Sequence, residues 1–141
     1  MTIDLINIKN GAVAALEKVF FAHASGPFRP CVQEFFSALA TIFELEAVRR
    51  VAAPGLKVGK TEVDLPGLAD FTSAELNVFK RAFMQWRNDF TKLDPAVAEI
   101  FNELAILLDD QLHDIRRNGK MLQMLYDGAA KDNDASWEVE L

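Results

Sequence analysis

The residues that most suggest chemistry are Gly55-Leu56-Lys57-Val58-Gly59-Lys60-Thr61, followed closely by Asp64-Leu65-Pro66-Gly67. Glycines around a lysine and a threonine evoke a phosphate-cradling loop, where backbone N–H groups and the lysine hold phosphates and the hydroxyl serves magnesium. That loop needs four residues between its first glycine and the Gly-Lys-Thr, a buried strand before it and a helix after it. Here three residues intervene, and the preceding pattern is helical. Asp64 also follows too closely to stand on a second strand of a parallel sheet. The expectation is that nucleotide hydrolysis does not occur here.

Metal chemistry has a similarly incomplete set. A carboxylate-bridged metal bundle needs two Glu-x-x-His pairs on different helices, and this chain offers only Asp110-x-x-His113. The lone cysteine, Cys31, excludes an internal disulfide and a multi-cysteine zinc site. Paired with His23 it could suggest a nucleophile and its base, but no third group is in place to orient the imidazole. The reading is a structural thiol, with no catalytic residue, metal or cofactor expected.

Two groups could bind without catalysing. The first is basic: Arg49, Arg50, Lys57 and Lys60, with Arg116, Arg117 and Lys120, would form an anion-contacting patch if the glycine-containing loop folded toward the last helix. Helix-dipole complementation together with ordinary solubility is the favoured account of these residues. The second is the C-terminal stretch, where Trp137, Val139 and Leu141 alternate with acids. An extended segment of that kind can add to a sheet edge or enter a basic-rimmed groove on a partner.

The elements that must position these residues are helical. Val13, Leu16, Val19 and Phe20 give a first amphipathic helix over residues 12–24, stopped by Ser25-Gly26-Pro27. Pro30 opens a second helix that runs to about Val51 and directs Val32, Phe35, Phe36, Leu39, Ile42 and Phe43 inward. Thr72 and Glu75 form a capping box before a third helix with Leu76, Phe79, Phe83, Trp86 and Phe90 on one face. Asp94 and Pro95 start the longest helix, over residues 94–126. Its seam comprises Val97, Phe101, Leu104, Leu108, Ile115, Leu122 and Leu125, widened by Ile100, Leu107, Leu112 and Met121. Asn118-Gly119 could interrupt it, but the seam keeps its phase across them and favours a continuous or kinked helix. Residues 2–10 are read as an extended or helical lead-in, and residues 56–63 as a small hairpin within the long loop.

The expected fold is therefore all-α: a single-domain bundle of four to five helices around a long C-terminal helix, with one long loop or small hairpin between helices two and three. Residues 1–126 form the bundle and 127–141 an acidic tail. The formal charge of −6 is concentrated in that tail, with −4 after residue 126 and −2 before it. A nearly neutral body argues against both a DNA mimic and a domain held to nucleic acid by overall charge. Eleven Phe against one Tyr point to a dry aromatic core.

No leader pattern or uninterrupted apolar run of membrane-spanning length is visible, so the expected setting is cytoplasmic. The function expected is that of a non-enzymatic protein-interaction module: a small helical inhibitor, adaptor or accessory subunit of a larger, multi-subunit assembly, with self-association also open. The alternative is a helical subunit of a nucleoprotein complex, touching nucleic-acid phosphates through the basic cluster.

Overall fold

Phe20 holds the centre of the molecule. Its ring lies 6.2 and 5.6 Å from those of Phe36 and Phe43, and 6.3 Å from both Trp86 and Phe101. Those partners come from every other long helix, so one side chain touches the whole bundle. The computed structural model describes residues 1–56, 59–65 and 67–132, with side chains as far as Leu125. Among these the order is β1 (Thr2–Asp4), α1 (Asn10–Ala24), α2 (Pro30–Ala52), β2 (Lys60–Glu62), a 3₁₀ turn (Leu68–Asp70), α3 (Ser73–Phe90) and α4 (Val97–Asp132).

The helices form two hairpins, α1 with α2 and α3 with α4. Phe20, Phe35, Phe36, Phe43, Phe83 and Phe101 are all fully buried between them. The expected aromatic core is present, and its rings meet mostly tilted or edge-on, the arrangement the ring quadrupole favours. Along α4, Val97, Ile100, Phe101, Leu104, Leu108 and Leu112 are buried at the predicted helical spacing.

The helix ends follow the sequence. Pro30 occupies the first turn of α2, where its missing N–H costs nothing. The Thr72 hydroxyl accepts from the Glu75 N–H at 3.1 Å, and the Glu75 carboxylate accepts from the Thr72 N–H at 2.9 Å. Arg29 reinforces this box from the base of α2 by donating through Nε to Glu75 at 2.8 Å. Between the hairpins, Gly67 takes a left-handed conformation (φ 85°), and a β-carbon there would sit 3.1 Å from the Cys31 carbonyl. The positive φ favours glycine, and the close carbonyl adds to the strain any side chain would meet.

Three expectations need correction. Of the hairpin proposed inside residues 56–63, Lys57 and Val58 lie outside the described residues; the strand that is described, Lys60–Glu62, pairs non-locally, antiparallel to Thr2–Asp4, with Ile3 opposite Thr61. An isolated hairpin of this size is marginal in water. Pairing with the N-terminal strand also brings Ile3, Leu5 and Ile8 into the core, where all three are buried. The lead-in is accordingly part strand.

The second correction concerns the end of the last helix. Its continuity through Asn118 and Gly119 is as expected, but its backbone stays helical to Asp132, beyond the helix end expected at residue 126. The third is that the body does not cover it throughout. Ile115 is half-buried, whereas Met121, Leu122 and Leu125, expected on the packed face, are exposed. The bundle runs out before the seam does.

Candidate functional site

The described residues of the basic cluster stand on three elements, the end of α2, β2 and the end of α4. Arg49 and Arg50, near the C-terminus of α2, face Glu46, a carboxylate only 5% exposed. Arg49 donates to Glu46 through Nε at 3.0 Å and also through Nη2. Arg50 donates to Glu46 Oε2 through Nε at 2.6 Å, and its Nη atoms reach the carbonyls of Ile8 (2.7 Å) and Leu5 (2.9 Å) and the side chain of Asn10 (2.9 Å). Burial pushes the Glu46 carboxyl up, but the hydrogen bonds from both guanidiniums outweigh it and hold the group below the usual carboxylate range. Arg50 therefore fastens the N-terminal segment to α2, and Arg49 ties the same carboxylate to the Leu56 carbonyl.

Glu46 was not singled out from sequence. The available signal is that it falls in phase with Leu39 and Phe43 on the buried stripe, three and four residues before two arginines. An acid on a core stripe with two such neighbours marks a buried ion pair.

Lys60 lies elsewhere, in β2 opposite Asp4. It borders a shallow hollow of about 260 Å³ with Asp4, Glu99 and Glu103, an acidic setting ill suited to a phosphate. A strand continues from Lys60, so the chain does not enter a helix as a phosphate loop must. Lys57 lies outside the described residues.

Arg116, Arg117 and Lys120 stand on the uncovered end of α4, all exposed. Arg117 pairs with Asp114 at 2.7 Å on the open surface, a contact of small energetic weight. Arg49 and Arg50 are engaged by Glu46 and by backbone carbonyls, whereas Arg116, Arg117 and Lys120 are exposed on α4.

The other chemical candidates are also apart. His23 stacks on Phe28 (ring centroids 5.7 Å apart) and meets the Trp86 ring edge-on at 4.7 Å, with Nδ1 3.0 Å from the Val19 carbonyl oxygen. Cys31 Sγ lies 3.9 Å from the Asp70 carbonyl oxygen, and no hydrogen bond connects it to His23. His113 is exposed beside Asp109, which forms a 2.6 Å ion pair with Lys80 and so links α4 to α3. Among the described residues no group of three or more His, Cys, Asp or Glu is arranged to hold a metal ion, and no helix is long and apolar enough to cross a membrane.

What remains is the projecting end of α4. Met121, Leu122, Met124 and Leu125 are 56%, 53%, 70% and 64% exposed. At 100° per residue they share an arc of roughly 160°. This is an amphipathic helix whose apolar side is left exposed by the described residues, joined without a break to a helix rooted in the core. A smaller uncovered stripe, Leu45, Val48 and Val51, lies on α2. Single exposed apolar residues are ordinary, but four on adjacent turns of one projecting helix form a patch. Trp137, Val139 and Leu141 lie outside the described residues. No family model, curated protein or solved structure matches the chain.

Proposed function

We propose that this chain is a non-enzymatic protein-interaction module, an adaptor, inhibitor or accessory subunit that recognises a partner through the projecting end of α4. The observation that carries the reading is the exposure of Met121, Leu122, Met124 and Leu125 on a helix that continues straight out of the core. A helix with one apolar face gains stability by laying that face against another apolar surface. Rooting it in the bundle through Leu104, Leu108 and Leu112 fixes its direction, which lowers the ordering cost of association. Met121 and Met124 suit the task, because unbranched thioether side chains adapt to the partner's shape. The apolar residues Trp137, Val139 and Leu141 would extend the same surface, a point that rests on sequence alone.

The test is capture from the native host with the tagged full chain and with a Leu122→Asp/Leu125→Asp variant. The expected result is a reproducible partner retained by the first and lost by the second, with both proteins melting at the same temperature. Retention of the same partner by the variant would remove the arm from the reading. Capture of nothing by either protein would remove the interaction role.

A further inference from the structure

We infer that the partner element received by the projecting arm is an acidic amphipathic helix, an inference that rests on the interaction reading above and specifies its occupant. The first support is charge. Residues 116–125 read RRNGKMLQML and contain three of the chain's 15 basic residues and none of its 21 acidic ones. In a chain of net charge −6, the exposed apolar arm is thus locally positive. At 100° per position, Lys120 borders the apolar arc about 40° beyond Met124, and Arg117, paired with Asp114, falls within the arc about 20° from Met124. A partner with acids beside its own apolar stripe places opposite charges along the rim of the contact.

Shape supports a helical occupant. The arm's backbone N–H and C=O groups are satisfied within the helix, so it offers no strand edge for an extended peptide. What it presents are ridges of side chains, and ridges pack into the grooves of another helix. The arm also carries Asn118 and Gly119 in its interior. Such residues weaken an uncovered helix, and a short helical segment is marginal in water without packing. Docking would stabilise the arm as well as the partner.

Charge also separates this occupant from two others. Pairing the arms of two copies would double the positive charge along the shared stretch, with no acid of residues 116–125 to meet it. An anionic lipid surface would bring the neighbouring Asp109, Asp110 and Asp114 of the same helix toward a plane of like charge. A single helix can lie along residues 116–125 alone.

The experiment uses the full chain and two labelled synthetic peptides with the same leucines at heptad positions a and d. One carries Glu and the other Lys at e and g. The expected result is that the Glu peptide binds about tenfold or more tightly than the Lys peptide at low salt, the preference shrinking as salt rises. Leu125→Asp should weaken Glu-peptide binding by about tenfold without moving the thermal midpoint. An Arg117→Glu/Lys120→Glu variant should reverse the preference toward the Lys peptide.

Equal binding of the two peptides, or a preference that survives the charge reversal, overturns the inference. So does concentration-dependent dimerisation or binding to phosphatidylserine vesicles, if either is lost in Leu125→Asp. Host capture separates the two levels: if it still depends on Leu122 and Leu125 while the peptides are not distinguished, the interaction reading stands and the acidic-helix occupant falls.

Discussion

Arg50 donates to Glu46 at 2.6 Å and, with the same guanidinium, to the carbonyls of Leu5 and Ile8, so one buried ion pair binds α2 to the chain's N-terminal segment. A planar fork of donors is needed for this, and lysine could not supply it. The carboxylate compensates the two arginines, and they in turn compensate the burial of Glu46. Each partner depends on the others being charged.

The first prediction follows from that dependence. Glu46→Gln removes the charge and one acceptor beside two guanidiniums, and should cost about 1.5 to 3 kcal/mol, the usual range for hydrogen bonds to charged groups. The carboxyl titrates below its ordinary value of 4.5, so its contribution is complete above that pH and is lost as the pH falls below it. Denaturant unfolding of both proteins between pH 7 and pH 3 is the measurement. The stability difference should be largest near neutrality and narrow on acidification; a difference that widened toward low pH would contradict the assignment.

A second prediction contrasts two parts of one helix. Leu108 is fully buried, and Leu108→Ala should cost about 2 to 5 kcal/mol through lost burial and the cavity left behind. Leu125, in the same helix but 64% exposed, should tolerate the same change to within about 0.5 kcal/mol. Thermal or urea melts of the isolated chain read both. Equal losses at the two sites would mean that the end of α4 is packed in the free protein, and the interaction surface proposed above would not exist.

The capping box supplies a third. Arg29 holds the Glu75 carboxyl down to about 2, aided by the Thr72 N–H and opposed by partial burial. That contribution is full above pH 4.5 and declines as the pH approaches 2. Arg29 is half exposed, so solvent screens the pair and the effect on stability is modest. Thr72→Ala, which removes the cap itself, should cost about 1 kcal/mol at neutral pH. An Arg29→Ala variant should lose less, and should bring the Glu75 titration observed by NMR back toward the ordinary value. An unmoved Glu75 titration would show that the cap alone sets it.

The sequence by itself determined the local elements, because their causes are local. Pro30 presets the first turn of α2, the Thr72 and Glu75 side chains reach only as far as their own backbone, and apolar spacing sets which face of each helix turns inward. The phenylalanine content likewise announced the core. Tertiary structure decided whatever depends on two distant segments meeting. The strand at Lys60–Glu62 is paired with Thr2–Asp4, far from it in sequence, in a segment whose Ile3, Leu5 and Ile8 are buried.

Asp94 reads from sequence as the cap of the last helix, and its Oδ1 does accept from the Ala96 N–H at 3.0 Å. Only folding brings Lys9, at the start of α1, close enough to donate its backbone N–H to Oδ2 at 2.7 Å. Arg49 and Arg50 looked free to meet an anion until Glu46 and the carbonyls of Leu5, Ile8 and Leu56 were found to occupy them. The same limit applies to the arm. Periodicity states that Leu108 and Leu122 lie on the same side of a helix, but covering either requires another element at that height, and α3 accompanies α4 over only part of its length. Which leucines are core and which are surface was therefore decided by the lengths of the packed helices, a property no single stretch of sequence contains.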